Sequence, residues 1–203
     1  PDGRWALSGS DDNVIRLWDT DRGDRIRKFE GHAKPITSLA FSPDGRRFLS
    51  ASQDHTLRLW ETDNGRLVRR FKGHETLVWS AAFTPDGRRA LSASGCGFFS
   101  PEKGHVALDC TIRLWDADTA KEIRRFKGHT DVVHSVAVSA DGKLVLSGSE
   151  DKTVRLWDLA TGEERSCLEG HARGVRSVAF VSNSKHFVSG SLDGTIRVWQ
   201  LPG

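Results

Sequence analysis

Methionine is absent from this sequence, cysteine is scarce, and no hydrophobic run approaches the length of a membrane span. A transmembrane helix needs about 20 predominantly apolar residues, so we expect no membrane-spanning segment. Three cysteines are too few for a disulfide framework, and they favour a reducing, cytoplasmic environment. Because there is no methionine, Pro1 is not an initiator residue, and we expect these 203 residues to be a piece of a longer chain.

A sustained helical period is also missing. Apolar residues recur instead at nearly every second position, which is the period of a β-strand. The net charge of +3 is a balance of 30 basic and 27 acidic residues. A charge of this size does not by itself indicate nucleic-acid binding. We therefore expect an all-β chain, with a helix left open only for the insertion described below.

A repeated phrase organises the chain. The dipeptides Trp-Asp, Trp-Glu and Trp-Gln end five similar units, at Trp18, Trp60, Trp115, Trp157 and Trp199. Successive tryptophans lie 42 residues apart, except for the second and third, which lie 55 apart. A period of this size indicates a repeat architecture, so we interpret residues 1–203 as one repeat domain.

Each complete unit contains four strand-like runs, which we call a, b, c and d. A Pro-Asp-Gly turn such as Pro43-Asp44-Gly45 follows strand a, and its three residues each favour a tight turn. A polar turn separates strands b and c, and a Gly- or Thr-rich turn separates c and d. The first unit starts at strand b and the last ends at strand c, so the pattern predicts 18 strands in all.

One insertion, over about residues 95–108, accounts for the longer unit. It lies in a b–c turn, and insertions in repeat proteins map to loops on one face. Cys96, His105 and Cys110 lie in or beside the insertion, and they suggest two weak alternatives, a zinc site or a Cys96–Cys110 disulfide. A structural zinc site usually has four ligands at closer spacing. We expect no metal and no cofactor.

Four polar positions recur in the units and resemble a Ser-His-Asp site. We reject a hydrolase, because an active site is expected once per domain and this set repeats at fixed spacing. Instead, we expect His to contact Asp, with Ser between His and the Trp indole, since unpaired buried polar groups are costly. The four sets are His32, Ser50, Asp54, Trp60; His74, Ser92, Asp109, Trp115; His129, Ser147, Asp151, Trp157; and His171, Ser189, Asp193, Trp199.

These recurring residues, with the Gly-His pairs and the Ser-x-Ser-x-Asp-x-Thr phrases, resemble the WD-repeat β-propellers. The resemblance covers the chain except the insertion. It implies four-stranded blades around a channel and a non-catalytic platform for protein interaction. It also implies that a chain ending after strand c is C-terminal, with about ten strands of a seven-bladed ring lying upstream. We therefore expect an open arc of about five blades, and the turn phrasing is similar to bacterial members.

The resemblance also implies where partners bind. In propellers, the loop face carries the residues flanking the first apolar position of strand a and those preceding the turn aspartate. Here these are Pro35, Thr37, Leu77, Trp79, Val132, His134, Gly174, Arg176, Asp11, Gln53, Leu108, Glu150 and Leu192. Trp79 is the leading candidate for a partner-binding hot spot, although it could instead pack on the insertion. Phe98 and Phe99 could form a sticky loop tip or pack onto this face.

Two alternative functions stay open from the sequence. Strands d are basic at Arg69, Arg70, Lys72 and at Arg124, Arg125, Lys127. These cations either protect an edge strand from pairing or bind an anion or nucleic acid. The chain could also be a regulatory segment of a larger bacterial enzyme. Our leading hypothesis is a scaffold that binds a protein or peptide.

Overall fold

The computed structural model describes residues 2–100, 104–181 and 185–201, without the side chains of residues 98–100 and 104–105. These residues form five antiparallel sheets in chain order, which we number 1 to 5, and one separate hairpin. The prediction of an all-β fold built from four-stranded blades is confirmed. Among the described residues, no helix is long and apolar enough to cross a membrane.

The sheets hold the 18 predicted strands, with bounds that differ from the sequence pattern by a residue or two at some ends. Sheet 1 comprises β1 (Trp5–Gly9), β2 (Ile15–Asp19) and β3 (Arg25–Phe29); sheet 2 comprises β4 (Ile36–Phe41), β5 (Arg47–Ser52), β6 (Leu57–Glu61) and β7 (Leu67–Phe71). Sheet 3 comprises β8 (Val78–Phe83), β9 (Arg89–Ser94), β12 (Thr111–Asp116) and β13 (Glu122–Lys127). Sheet 4 comprises β14 (Val133–Val138), β15 (Leu144–Ser149), β16 (Val154–Asp158) and β17 (Glu164–Leu168); sheet 5 comprises β18 (Val175–Phe180), β19 (His186–Ser191) and β20 (Ile196–Gln200).

The insertion is a β-hairpin of β10 (Cys96–Ser100) and β11 (Gly104–Leu108), so the possibility of a helix there is wrong. The two strands pair with each other, as a separate two-stranded sheet. The extra residues therefore leave sheet 3 in the same a-b-c-d order as its neighbours. They project from the b–c turn as an independent element.

Apolar side chains between successive sheets form the core. At each junction, aliphatic residues and a Phe of one sheet pack against the first strand and the Trp of the next. Leu57, Leu59 and Phe71 of sheet 2, for example, pack with Val78 and Trp115 of sheet 3. A similar arrangement recurs at the other three junctions, with Leu168 in place of the Phe at the last one. Stacking of neighbouring blades thus buries a surface that one blade alone would leave exposed.

The five sheets form an open arc, as predicted. Ile196 and Val198 of sheet 5 occupy the positions of Leu57 and Leu59 in sheet 2, but they are 79% and 68% exposed, whereas Leu57 and Leu59 are fully buried. Among the residues that the structure describes, none packs on this face of sheet 5 in place of a further blade. The ring is therefore not closed.

Candidate functional site

A β-bulge at the start of every strand a positions the predicted partner-binding residues. In each of sheets 2 to 5, one residue near the start of strand a has no paired residue in strand b, although its two neighbours do. These unpaired residues are Thr37, Trp79, His134 and Arg176. A bulge leaves one residue unpaired and re-aims its side chain. All four residues thus occupy equivalent positions at the loop face of sheets 2 to 5.

Contacts between these bulge residues link neighbouring sheets. Thr37 Oγ1 donates to the carbonyl oxygen of Val78, at 2.5 Å. The Trp79 ring meets the His134 ring edge-on, with centroids 5.6 Å apart. Trp79 Nε1 also donates to the carbonyl oxygen of Gly95, at 2.8 Å, so the indole is anchored where the insertion begins. The half-buried Trp79 therefore combines a packing role with partial exposure.

A charged cluster extends this row. His134 Nε2 lies 3.0 Å from Glu150 Oε2, and Arg176 Nη2 lies 2.9 Å from the same oxygen. Arg176 Nη1 lies 2.6 Å from His134 Nε2 and 3.0 Å from His134 Nδ1. A neutral imidazole keeps one ring nitrogen able to accept a hydrogen bond from Arg176, whereas an imidazolium could only donate. Burial, followed by the charge of Arg176, lowers the pKa of His134 and so favours this neutral form.

Glycine at position 174 makes room for the cluster, because a Cβ there would collide with the Glu150 carboxylate. We call Trp79, His134, Glu150 and Arg176 the loop-face cluster. Arg176 keeps 44% and Glu150 34% of its side chain exposed. The cluster thus presents an aromatic ring and a partly neutralised arginine at one surface.

The remaining predicted partner residues lie in the adjoining turns. The backbone N–H groups of Gln53, Glu150 and Leu192 donate to the carbonyls of Pro35, Val132 and Gly174, which ties each b–c turn to the start of its strand a. Leu192 and Leu108 are exposed, and Leu77 is half-buried. Asp11, from sheet 1, is exposed in a unit that has no strand a. The side chains of Phe98 and Phe99 fall outside the described residues, so their prediction stays open.

The recurring polar residues come together in sheets 2 to 5. His Nδ1 lies 2.7 to 2.9 Å from the Asp carboxylate, and His Nε2 lies 2.7 to 2.8 Å from the Ser hydroxyl. The Trp indole N–H donates to the same hydroxyl at 2.8 to 2.9 Å. The four histidines and four serines are buried, and each network is closed within its sheet. These four hydroxyls are thus engaged within the framework rather than free to attack a substrate.

Electrostatics keep these aspartates ionised. Burial alone would raise the pKa of the Asp109 carboxyl, but the interactions with His74 and the hydrogen bonds from Thr111 and the Glu75 backbone together outweigh burial and hold this pKa below its usual range. Burial also lowers the pKa of His74. A neutral imidazole that donates to a carboxylate accounts for both directions. Sheet 1 has no histidine, but it keeps the Trp18–Ser8 bond, at 2.8 Å, and the Arg16–Asp12 pair.

An arginine in strand c belongs to the same network, although we did not predict it from the sequence. Arg113 is buried, lies 3.2 Å from Asp109 Oδ1, and sits 6.0 Å from the Trp115 ring centre. A Cβ at Gly73 would lie 2.6 Å from Arg113 Nη1, which explains the Gly of the Gly-His pair. The available signal was repetition, since an arginine occupies this position in all five units, at Arg16, Arg58, Arg113, Arg155 and Arg197.

The cysteines near the insertion form no disulfide, since Cys96 and Cys110 are both free thiols. Burial raises the pKa of Cys110 to about 12, so its thiol stays protonated. No group of three possible metal ligands occurs among the residues that the structure describes, and the His105 side chain lies outside them. The disulfide alternative is therefore wrong for this structure.

Arginines of the basic strands d connect neighbouring sheets. Arg27 Nη2 donates to the Asp63 carbonyl oxygen at 3.0 Å, and Arg69 Nε donates to the Asp118 carbonyl oxygen at 2.5 Å. Arg124 donates in the same way to the Thr161 carbonyl oxygen. Arg125 pairs with Glu122 at 3.1 Å. These guanidinium groups are thus engaged within the protein.

Comparison with known proteins identifies the repeats. A family model described as "WD domain, G-beta repeat" matches residues 1–19, 23–61, 65–116, 120–158 and 162–200. The chain is similar to the transcriptional corepressor LEUNIG_HOMOLOG of Arabidopsis thaliana, with 33% identity over 156 residues, covering 74% of this chain and 17% of that protein. It is also similar to the nuclear distribution protein PAC1 of Coccidioides posadasii (strain C735), with 32% identity over 149 residues, covering 71% of this chain and 30% of that protein.

A third similarity is local. Transcription initiation factor TFIID subunit 5 of Caenorhabditis elegans is 42% identical over 43 residues, covering 21% of this chain and 7% of that protein. The chain thus spans less than a third of these relatives. All three come from eukaryotes, so they lend no support to the expected bacterial character. The repeats matched along almost the whole sequence show that the chain belongs to the WD domain, G-beta repeat family.

Proposed function

We propose that this chain is a non-catalytic scaffold whose loop face binds a protein or peptide through the loop-face cluster. The observation that carries the proposal is the continuous contact from Trp79 through His134 to Arg176 across three neighbouring sheets. Aromatic residues and arginine dominate the binding energy of protein interfaces. Mutual contacts hold these side chains in place before a partner arrives, which reduces the entropy lost on binding.

The family and the relatives support the coarser part of this proposal. WD-repeat proteins generally act as interaction scaffolds, and the names of the relatives describe a corepressor, a nuclear distribution protein and a transcription factor subunit. Anion binding by the basic strands d has less support, because Arg69, Arg124 and Arg125 are engaged within the protein. A regulatory role within a larger enzyme stays a prediction.

Selection of peptides from a displayed library on the wild-type chain tests the proposal. We expect Trp79→Ala and Arg176→Ala each to lower the affinity for the selected peptides at least tenfold, because a hot-spot residue contributes roughly 2 kcal/mol or more to the binding free energy. Lys143→Ala is the matched control. Lys143 is a largely exposed residue in an a–b turn, at the opposite end of the strands of sheet 4.

Thermal unfolding of the variants separates binding from folding. Loss of affinity with a nearly unchanged melting temperature supports the loop-face cluster as the binding site. If Trp79→Ala lowers affinity and stability together while Arg176→Ala changes neither, Trp79 belongs to the framework and the proposal fails. Peptides that bind both variants as well as the wild type would also contradict it.

A further inference from the structure

A groove of about 500 Å³ lies between sheets 1 and 2, at the end of the strands opposite the loop face. Trp5 and Phe41 supply its apolar walls, and Asp2, Asp44 and Asp63 supply carboxylates, with Arg46 as the lining cation. Carboxylates thus outnumber cations in a groove that also has an aromatic wall. This combination suits a cationic side chain with an apolar stem.

The next junction shows what occupies the equivalent place. Trp5 pairs with Asp19 at the start of strand b in sheet 1, and Arg47 pairs with Glu61 in the same register of sheet 2. Arg47 reaches across to sheet 3, where Nη1 lies 2.9 Å from Asp118 Oδ1 and Nη2 donates to the Gly87 carbonyl oxygen at 3.4 Å. The chain therefore fills its second junction with its own guanidinium.

The first junction keeps the acceptors but not the arginine. Asp63 lies two residues after Glu61, as Asp118 lies two residues after Asp116, so the two aspartates are equivalent. Within the described part of the chain, no ion pair or hydrogen bond engages the Asp63 carboxylate, although the Asp63 backbone oxygen accepts from Arg27. The arginine position is taken by Trp5. The Asp63 carboxylate in the groove is consequently not paired with an arginine of sheet 1, as the Asp118 carboxylate is with Arg47 of sheet 2.

The surrounding charges favour a cation. A hydrogen bond from Ser42 lowers the pKa of Asp44, so this carboxylate is ionised at neutral pH. The guanidinium of Arg4 lies 5.5 Å from the Trp5 ring centre, so its positive charge also opposes a further cation and leaves the Asp63 side of the groove for it. Arg46 opposes binding, but its equivalent at the next junction, Arg88, does not prevent Arg47 from pairing with Asp118.

We propose that this groove binds the side chain of an arginine presented by a partner peptide. The guanidinium takes the place that Arg47 fills at the second junction, pairing with the Asp63 carboxylate, and its stem lies along Trp5 and Phe41. Arginine suits such a site because its planar fork pairs with carboxylates and stacks on aromatic rings. This surface is separate from the loop-face cluster, so either proposal can fail without the other.

Titration of the ¹⁵N-labelled chain with a Gly-Gly-Arg-Gly-Gly peptide, followed through the Trp5 indole resonance, tests the proposal. One side chain in an open groove should bind with a Kd on the order of a millimolar. The same peptide with citrulline, which is uncharged, should bind at least tenfold more weakly. We expect Asp63→Asn to weaken binding about fivefold or more, whereas Asp118→Asn should leave it unchanged.

Exchanging the residues of the two junctions gives a sharper test. Trp5→Arg should fill the groove with an internal guanidinium and abolish peptide binding, and Arg47→Trp should open a second groove and add a second binding site beside Asp118. Equal binding of the citrulline peptide, or full binding to Asp63→Asn, would overturn the proposal. Absence of a second site in a folded Arg47→Trp variant would overturn it as well. If Trp5→Arg does not fold, the Asp63→Asn and Arg47→Trp variants still decide.

Discussion

Buried serines are the residues on which each blade's polar network depends. Ser92 Oγ accepts from the Trp115 indole and lies 2.7 Å from His74 Nε2, so one hydroxyl serves two buried partners. His74 in turn contacts the ionised Asp109. Loss of the hydroxyl would leave the Trp115 and His74 side chains without a hydrogen-bond partner in a place that water cannot reach. An unpaired buried polar group destabilises the fold by more than an ordinary hydrogen bond stabilises it.

Ser92→Ala is therefore expected to lower the free energy of unfolding by about 3 kcal/mol, since two buried groups lose their partner. Ser8→Ala is the matched control. Ser8 has the same position in sheet 1, but it is exposed, and among the described side chains its hydroxyl bonds only to Trp18. We expect this control to cost less than about 1 kcal/mol. Urea unfolding of both variants measures the difference, and equal losses would contradict a special role for the buried hydroxyl.

At the residue scale, repetition is the signal that predicts both structure and function. The recurrence of His, Ser, Asp and Trp at fixed spacing separates framework positions from variable ones without any knowledge of their contacts. Arg113 repeats in the same way, but residue type alone does not predict its burial, because an arginine next to a polar turn is usually a surface residue. Its guanidinium is instead buried against Asp109 and Trp115, a contact that depends on the folded blade.

Among the elements, the outer strands d do more than end a blade. Arg27, Arg69 and Arg124 occupy the same register in β3, β7 and β13, opposite Leu17, Leu59 and Leu114. Each donates to a turn carbonyl of the following sheet. Long arginine stems can also cover apolar surface while the charged end remains at the edge. The strand d arginines therefore join successive blades.

Arg124→Ala should lower the free energy of unfolding by about 1–2 kcal/mol, through one lost hydrogen bond to a charged group and lost stem packing. Arg66→Ala is a suitable control, because Arg66 forms an exposed ion pair with Glu61 within sheet 2, and exposed pairs contribute roughly 0–1 kcal/mol. Thermal or urea unfolding provides the measurement. A loss for Arg124→Ala no larger than for Arg66→Ala would show that this bond between sheets contributes little.

The insertion marks the limit of prediction for elements. Its place in the b–c turn is evident from the altered spacing of Ser94 and Asp109. Its β-hairpin conformation is not, because a short segment rich in glycine and aromatic residues has no diagnostic period. The pairing of Cys96 with Leu108 and of Gly97 with Ala107 is a property of the folded segment.

For the whole molecule, the open arc leaves one blade face without a partner among the described residues. Ile196 stands where Val154 stands in sheet 4, yet Ile196 is 79% exposed and Val154 is fully buried. Contiguous exposed apolar surface promotes association. The free chain should therefore associate weakly through this face as its concentration rises.

Ile196→Thr is expected to change the free energy of unfolding by less than about 1 kcal/mol and to reduce self-association, because the side chain it replaces is exposed. Val154→Thr, at the equivalent buried position, should cost about 2 kcal/mol, because a hydroxyl replaces a methyl group inside the core. Sedimentation velocity over a concentration series measures association, and urea unfolding measures stability. Similar stability losses in the two variants would mean that the face of sheet 5 is covered in solution.

The sequence by itself determined the blades, their strand order and the polar framework, because these depend on strand periodicity, turn residues and a fixed repeat. The tertiary structure decided which variable residues meet. Trp79, His134 and Arg176 come from three different units, and only the stacking of sheets 3 to 5 brings their side chains together. The same holds for Trp5 beside Asp63 and for Arg47 beside Asp118, since the way one sheet lies against the next determines which side chains face each other across a junction.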